Sequence, residues 1–170
     1  MKLVRYRDGT GVSLGVVKGD GIVPLVQLGC DFPTMLALIE AGPKALTQIT
    51  GKLDSATPSI SISDAKLLAP IERPGKYLAI GMNYAKHLAE ADKLGVARAK
   101  HQTWFNKQTT CIVGPYDDIE PGVTEQLDYE VELGAVIGKA AKGVSEADAP
   151  AYVFGYLVAN DVSARDWRCT

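Results

Sequence analysis

Cysteine is scarce in this chain of 170 residues: Cys30, Cys111 and Cys169 lie far apart. An odd, scattered set with no C-x-x-C step argues against a disulfide framework and against a thiolate zinc site. It predicts a reducing, cytoplasmic setting. Histidine is scarcer still, with only His87 and His101. No run approaches the ~18 consecutive apolar residues of a membrane-spanning helix, so no membrane span is predicted. The opening residues, MKLVRYRDGTGVSLG, carry no apolar stretch after their charges, and no secretory signal is expected from them. Neither sign of charge dominates: 18 Lys+Arg against 20 Asp+Glu leave a formal charge of -2. That balance removes the global electrostatic reason to expect nucleic acid or an anionic membrane as partner. Internal repeats and low-complexity tracts are also missing.

What the chain does have is glycine (17) and proline (9), which favour turns and short strands over a helix bundle. A chain of this length and ordinary hydrophobic content can bury a core without covalent staples. Lys2–Tyr6, Val12–Val17 and Ile22–Val26 read as strands separated by Asp8-Gly9 and Gly19-Asp20-Gly21, a small antiparallel meander. Asp31-Phe32-Pro33-Thr34 opens a helical pattern ending at Gly42, and Lys44–Ile49 suggests a second short helix. Residues 51–66 read as a connector with one edge strand. The fold class predicted is α+β and strand-rich, with a β-rich module over 1–70 and a second domain from 71 to 170. In the latter, strands are expected at Tyr77–Ile80, Trp104–Phe105, Cys111–Val113, Leu127–Gly138 and Gly155–Asn160. A helix is expected from Tyr84 to Gly95, and another starts at Ser145.

The chemistry concentrates in Asp128-Tyr129-Glu130-Val131-Glu132-Leu133. Strand alternation puts Asp128, Glu130 and Glu132 on one face and Tyr129, Val131 and Leu133 on the other. Beyond Glu132 the run turns apolar (Ala135, Val136, Ile137), as though entering a core. Three like charges on one face call for a compensating cation. The pattern reads either as the polar face of a half-exposed strand or as oxygen ligands for Mg²⁺, Mn²⁺ or Ca²⁺. Asp161 stands where the apolar run Tyr156–Ala159 ends, placed either to cap a turn or to converge on a neighbouring strand's carboxylates. His87 and Glu90, three apart on the expected helix, share a face. This is an exposed pair, or a histidine whose basicity a carboxylate raises for general-base work. His101, in a polar stretch, reads as an exposed loop residue.

Four segments, YLAIGMNYAKHLAE, TWFNKQTTCIVGP, EQLDYEVELGAVIGK and FGYLVANDVSARDW, together resemble the fumarylacetoacetate hydrolase family and cover most of residues 77–167. The resemblance implies a mixed β-sheet roll and a Mg²⁺ or Mn²⁺ ion held by Glu130, Glu132 and Asp161, with Asp128 as their neighbour. It implies that His87 and Glu90 activate water on a lid-like segment. Arg165 would bind substrate oxygens, and Lys107 would lie in a loop near the site. The implied activity is catabolic: cleavage of a C–C bond in a small 2-oxo or 1,3-dicarbonyl acid of acylpyruvate type, through a metal-stabilised enolate. Decarboxylases, hydratases, isomerases and lyases of the family share that enolate, so the carboxylates do not choose among them. A homodimer is implied as well.

Three departures accompany the resemblance. The family's domain is expected to continue beyond Thr170, where a lysine that assists the reaction lies. Arg168 stands where many relatives carry glutamine, which would add a cation near an anionic substrate or point outward. Asn106-Lys107-Gln108 replaces a more usual lysine-proline step. A non-catalytic reading, a shortened chain that associates through unpaired strand edges and exposed core faces, stands beside the enzyme.

Overall fold

The computed structural model describes residues 1–9, 11–95 and 97–167; Arg168 falls outside them. The chain divides into two compact units, residues 1–70 with 114–170, and residues 71–113.

The first unit opens with the expected meander. Strands β1 (Lys2–Asp8), β2 (Gly11–Lys18) and β3 (Gly21–Pro24) pair antiparallel in sequence. Gly19, at φ 58, supplies the left-handed residue of the second turn. β3 stops at Pro24, earlier than Val26, because Leu25–Leu28 coils into a 3₁₀ turn closed by Gly29 at φ 64. A methyl group at Gly15 would run into Ile22 Cγ2 and lie 3.0 Å from the Val23 carbonyl. Ile22 is fully buried and cannot yield, so that position takes only glycine.

Helix α1 (Met35–Leu53) starts at Thr34, whose Oγ1 accepts the Ala37 N–H at 3.1 Å. Gly42, at φ 68, followed by Pro43, kinks it into the two segments expected from sequence. The second segment runs on to Leu53 because Lys18 Nζ, from β2, donates to the Leu53, Asp54 and Ala56 carbonyls at 2.8–3.0 Å. Met35, Leu38, Ile39, Ala45 and Ile49 share the buried face. With Tyr6, Val16, Ile22, Val23 and Leu25 they make the core. β4 (Ile60–Ser61), the expected edge strand, and β5 (Lys66–Leu67) complete a sheet of order β4-β3-β2-β1-β5.

The unit of residues 71–113 pairs β6 (Leu78–Gly81) with β7 (Thr103–Asn106) antiparallel. Between them lies helix α2 (Ala85–Lys93), entered through Met82 in the left-handed region (φ 55) and closed by Gly95. Arg98 clasps Asp92 through two nitrogens, tying the following loop to the helix end. Cys111–Val113 forms no strand: Thr109–Cys111 is a 3₁₀ turn, with the Cys111 N–H bonded to the Gln108 carbonyl.

In the remainder of the first unit, the single long strand expected over Leu127–Gly138 is instead two. β8 (Leu127–Asp128) and β9 (Val131–Ile137) take different partners. β9 pairs with β10 (Val153–Asn160), and β8 with β11 (Ser163–Ala164). No α-helix starts at Ser145. Its carbonyl and hydroxyl close turns onto the Asp148 and Ala149 N–H groups, and Ala149–Tyr152 is a 3₁₀ turn. β9 does not enter a core either. Val131, Leu133 and Ile137, with Tyr156 and Val158 of β10, form an exposed apolar face. No described helix is long and apolar enough to cross a membrane.

Candidate active site

The break between β8 and β9 builds the carboxylate face. At Glu130 the backbone changes partners. Its N–H donates to the Asn160 side-chain carbonyl at 3.1 Å, and its carbonyl accepts the Asp161 N–H at 2.8 Å. Residue alternation survives the break. Asp128, Glu130 and Glu132 are half-buried, while Tyr129, Val131 and Leu133 point to solvent. The β9–β10 register, continued one step past Asn160↔Val131, sets Asp161 opposite Glu130. Asp161 is 7% exposed, the one buried charged side chain among the described residues.

A cation is already present on this face. Arg165 Nε donates to Asp128 Oδ2 at 2.9 Å, and one terminal nitrogen lies 2.8 Å from the same oxygen and 3.0 Å from Glu130 Oε1. The hydrogen bond to Asp128, above all, raises the guanidinium pKa further. Ser163 Oγ donates to the same Glu130 Oε1 at 2.9 Å. Asp166 fastens the approach: its carboxylate accepts from the Thr124 hydroxyl and from the Glu125 N–H at 3.0 Å. These bonds, the hydroxyl's first, hold its pKa below the usual carboxylate range.

His87 and Glu90 sit on α2 and are both exposed. They occupy one turn, and no hydrogen bond or ion pair joins them in this structure. His101 is an exposed residue of the loop before β7, as expected. Lys107 directly follows β7 and is half-buried, its N–H on the Tyr77 carbonyl at 2.8 Å. Sequence reading singled out neither Asn160 at the end of β10 nor Ser163 at the start of β11, both of which bond Glu130, nor the Asp128–Arg165 pair. A signal for Ser163 exists: it lies two residues from Asp161 in an extended segment, and so on the same side.

Among the described residues no three acid, histidine or cysteine side chains gather closely enough to form a metal centre. The donor chemistry on this face nonetheless fits a hard divalent cation. Glu130, Glu132 and Asp161 offer only carboxylate oxygens on one face, Asp161 buried and the two glutamates half-buried.

Residues 76–169 match the model of the fumarylacetoacetate (FAA) hydrolase C-terminal domain. An oxaloacetate tautomerase of Bos taurus, FAHD2A, mitochondrial, is 38% identical over 99% of this chain and 54% of its own length. A fumarylacetoacetate hydrolase domain-containing protein 2 homolog of Dictyostelium discoideum is 52% identical over 64% of this chain and 35% of its own length. Among solved structures, maleylpyruvate hydrolase of Sphingobium sp. SYK-6, in complex with manganese (II) ion and pyruvate, superposes with a TM-score of 0.74. It is 28% identical, over 97% of this chain and 60% of that one. The fumarylacetoacetate hydrolase of Exiguobacterium antarcticum gives 0.70 at 31% identity, over 98% and 57%. The chain spans about half the length of the curated mitochondrial relatives it matches from end to end. The fold of these neighbours and a family match running from the strand before the histidine helix to the Asp161–Arg165 turn lead to one assignment: this chain belongs to the fumarylacetoacetate hydrolase family.

Proposed function

We propose that the protein acts as an enzyme on a small 2-oxo or 1,3-dicarbonyl acid, with Mg²⁺ or Mn²⁺ held by Glu130, Glu132 and Asp161. The carboxylate face carries this reading: hard oxygen donors, half-buried to buried, at the junction of two strand pairs. When bound, the cation supplies Lewis-acid stabilisation of the negative charge that develops on substrate oxygens. His87, exposed on α2, takes a proton from water, and Glu90 one turn along favours the resulting imidazolium. Arg165 and Lys107 offer cations to a substrate carboxylate. In the hydrolytic reaction, water adds to a carbonyl carbon and the adjacent C–C bond breaks. The departing carbon keeps the electron pair as an enolate and is then protonated. We also propose a domain boundary near residue 70: the whole β4-β3-β2-β1-β5 sheet lies before it and the family match begins at residue 76, while residues 114–170 group with 1–70 as one compact unit.

Tautomerisation of a 2-oxo diacid is the second reading. Relatives matching 99% of this chain are named oxaloacetate tautomerases, and that reaction needs only proton transfer, off the enol oxygen and onto carbon. Decarboxylation, hydration, isomerisation and elimination draw on the same enolate. The test gives the Mn²⁺-loaded protein an acylpyruvate and, separately, enol-oxaloacetate. Pyruvate release supports hydrolysis, and loss of enol absorbance without bond cleavage supports tautomerisation. Either activity should vanish in Glu132→Ala. Turnover of neither would sink the enzyme reading in favour of a binding or assembly module.

We further propose a homodimer in the cytoplasm. The exposed apolar face of β9 and β10 supports self-association. Cys30 and Cys111, both free thiols, suit a reducing compartment, although the tautomerase relatives are named as mitochondrial. Sizing chromatography with light scattering should give twice the chain mass; a monomer across micromolar dilutions would end the dimer proposal.

A further inference from the structure

The position of Arg165 has a consequence for cation entry. Glu130 Oε1 accepts two donors at once, the Ser163 hydroxyl at 2.9 Å and an Arg165 terminal nitrogen at 3.0 Å. Those two bonds occupy the lone pairs of that oxygen. A divalent cation approaching Glu130 through Oε1 therefore meets a guanidinium in its place. Arg165 is not held there by Glu130 alone. Its backbone N–H is fixed on the Gln126 carbonyl at 2.9 Å. Both Nε and the terminal nitrogen rest on Asp128 Oδ2, and the other Asp128 oxygen accepts the Tyr129 N–H at 2.9 Å. The bond through Nε leaves the guanidinium attached to Asp128 when the contact with Glu130 is given up.

We infer that Arg165 is the resident counter-ion of the carboxylate face, that a divalent cation binding Glu130 through Oε1 displaces it from that oxygen, and that Asp128 is the positioning residue keeping it beside the site. This rests on the reading of Glu130, Glu132 and Asp161 as cation ligands. Without metal, the guanidinium offsets the mutual repulsion of the carboxylates. With metal, it is set free next to the site, still anchored, and able to meet a substrate carboxylate.

The test compares the full chain with Arg165→Met by Mn²⁺ titration calorimetry and by melting with and without Mn²⁺. The variant should bind Mn²⁺ about tenfold more tightly, the order of a lost competing hydrogen bond to a charged group. It should melt lower than wild type without metal, and the gap should close at saturating Mn²⁺. A purely structural role would leave the gap unchanged by metal. In the unmodified protein, the Arg165 guanidinium NMR resonances should shift when diamagnetic Mg²⁺ is added. Equal or weaker Mn²⁺ binding by the variant, or resonances that stay in place while Mg²⁺ binds, would overturn the displacement alone. Absence of Mn²⁺ binding in both proteins would instead remove the metal reading, and this inference with it.

Discussion

Asp161→Asn should abolish the thermal response of the protein to Mn²⁺ while leaving the metal-free protein as stable as before or slightly more so. The two halves have different origins. Asp161 is the buried member of the carboxylate face, and its N–H is fixed on the Glu130 carbonyl at 2.8 Å. The side chain therefore starts from a set position opposite Glu130. An amide keeps the shape but replaces one anionic oxygen by an NH₂ donor, which a hard cation does not take as a ligand. At a metal concentration about 100 times the dissociation constant, binding stabilises the folded state by about 2.7 kcal/mol, and this increment should disappear. In the metal-free state the same change removes one negative charge from a face that already bears Asp128, Glu130 and Glu132, which relieves like-charge repulsion. Differential scanning calorimetry with Mn²⁺ and with a chelator reads both halves. A variant that keeps its metal-dependent rise in Tm would refute Asp161 as a ligand. One that loses several kcal/mol without metal would show the carboxylate to be a structural anchor.

The same residues show how far the sequence could be read. The meander was legible because Gly19-Asp20-Gly21 dictates a turn in any context, and the helix kink because Gly42-Pro43 does. The full reach of α1 was not, since it depends on Lys18, 35 residues away, bonding the Leu53 carbonyl. The grouping of Glu130 with Glu132 followed from alternation alone. The break between β8 and β9 was hidden by that same alternation, which continues across Tyr129 and Glu130 without a change of phase. The break is set by partners, Ser163 for Asp128 and Asn160 for Val131, and local pattern does not name partners. For the same reason the hold of Asp128 on Arg165, 37 residues on, was invisible. The need for a cation among three carboxylates was nevertheless evident from charge. Alternation likewise told which side chains of β9 are apolar, but not whether anything covers them. The expectation that Arg165, Lys107 and the His87–Glu90 pair are functional came from family resemblance, because an i, i+3 pair on a helix is common on exposed faces.

His87→Ala should cut hydrolytic turnover by about 10²- to 10⁴-fold, the usual contribution of a general base, and leave Mn²⁺ affinity unchanged. Helix α2 does not need the histidine to form. Only Ala91 of its nine residues is buried, and His87 itself is exposed. Alanine has the higher helix propensity, so a loss of turnover would not reflect unfolding. Catalytic hydrogen bonds often tighten only in the substrate complex, so His87 and Glu90, one turn apart on α2, can act as a pair there. Two comparisons make the outcome specific. Glu90→Gln should lose less than His87→Ala, since it withdraws the charge that favours the imidazolium and not the group that carries the proton. Enol–keto exchange, which needs no water, should be less affected than C–C cleavage if His87 serves water. Equal losses in the two reactions would place the imidazole at the substrate carbon instead. Cleavage that survives His87→Ala at the unmodified rate would show that the proton leaves water by another route, and α2 would then have no part in the chemistry.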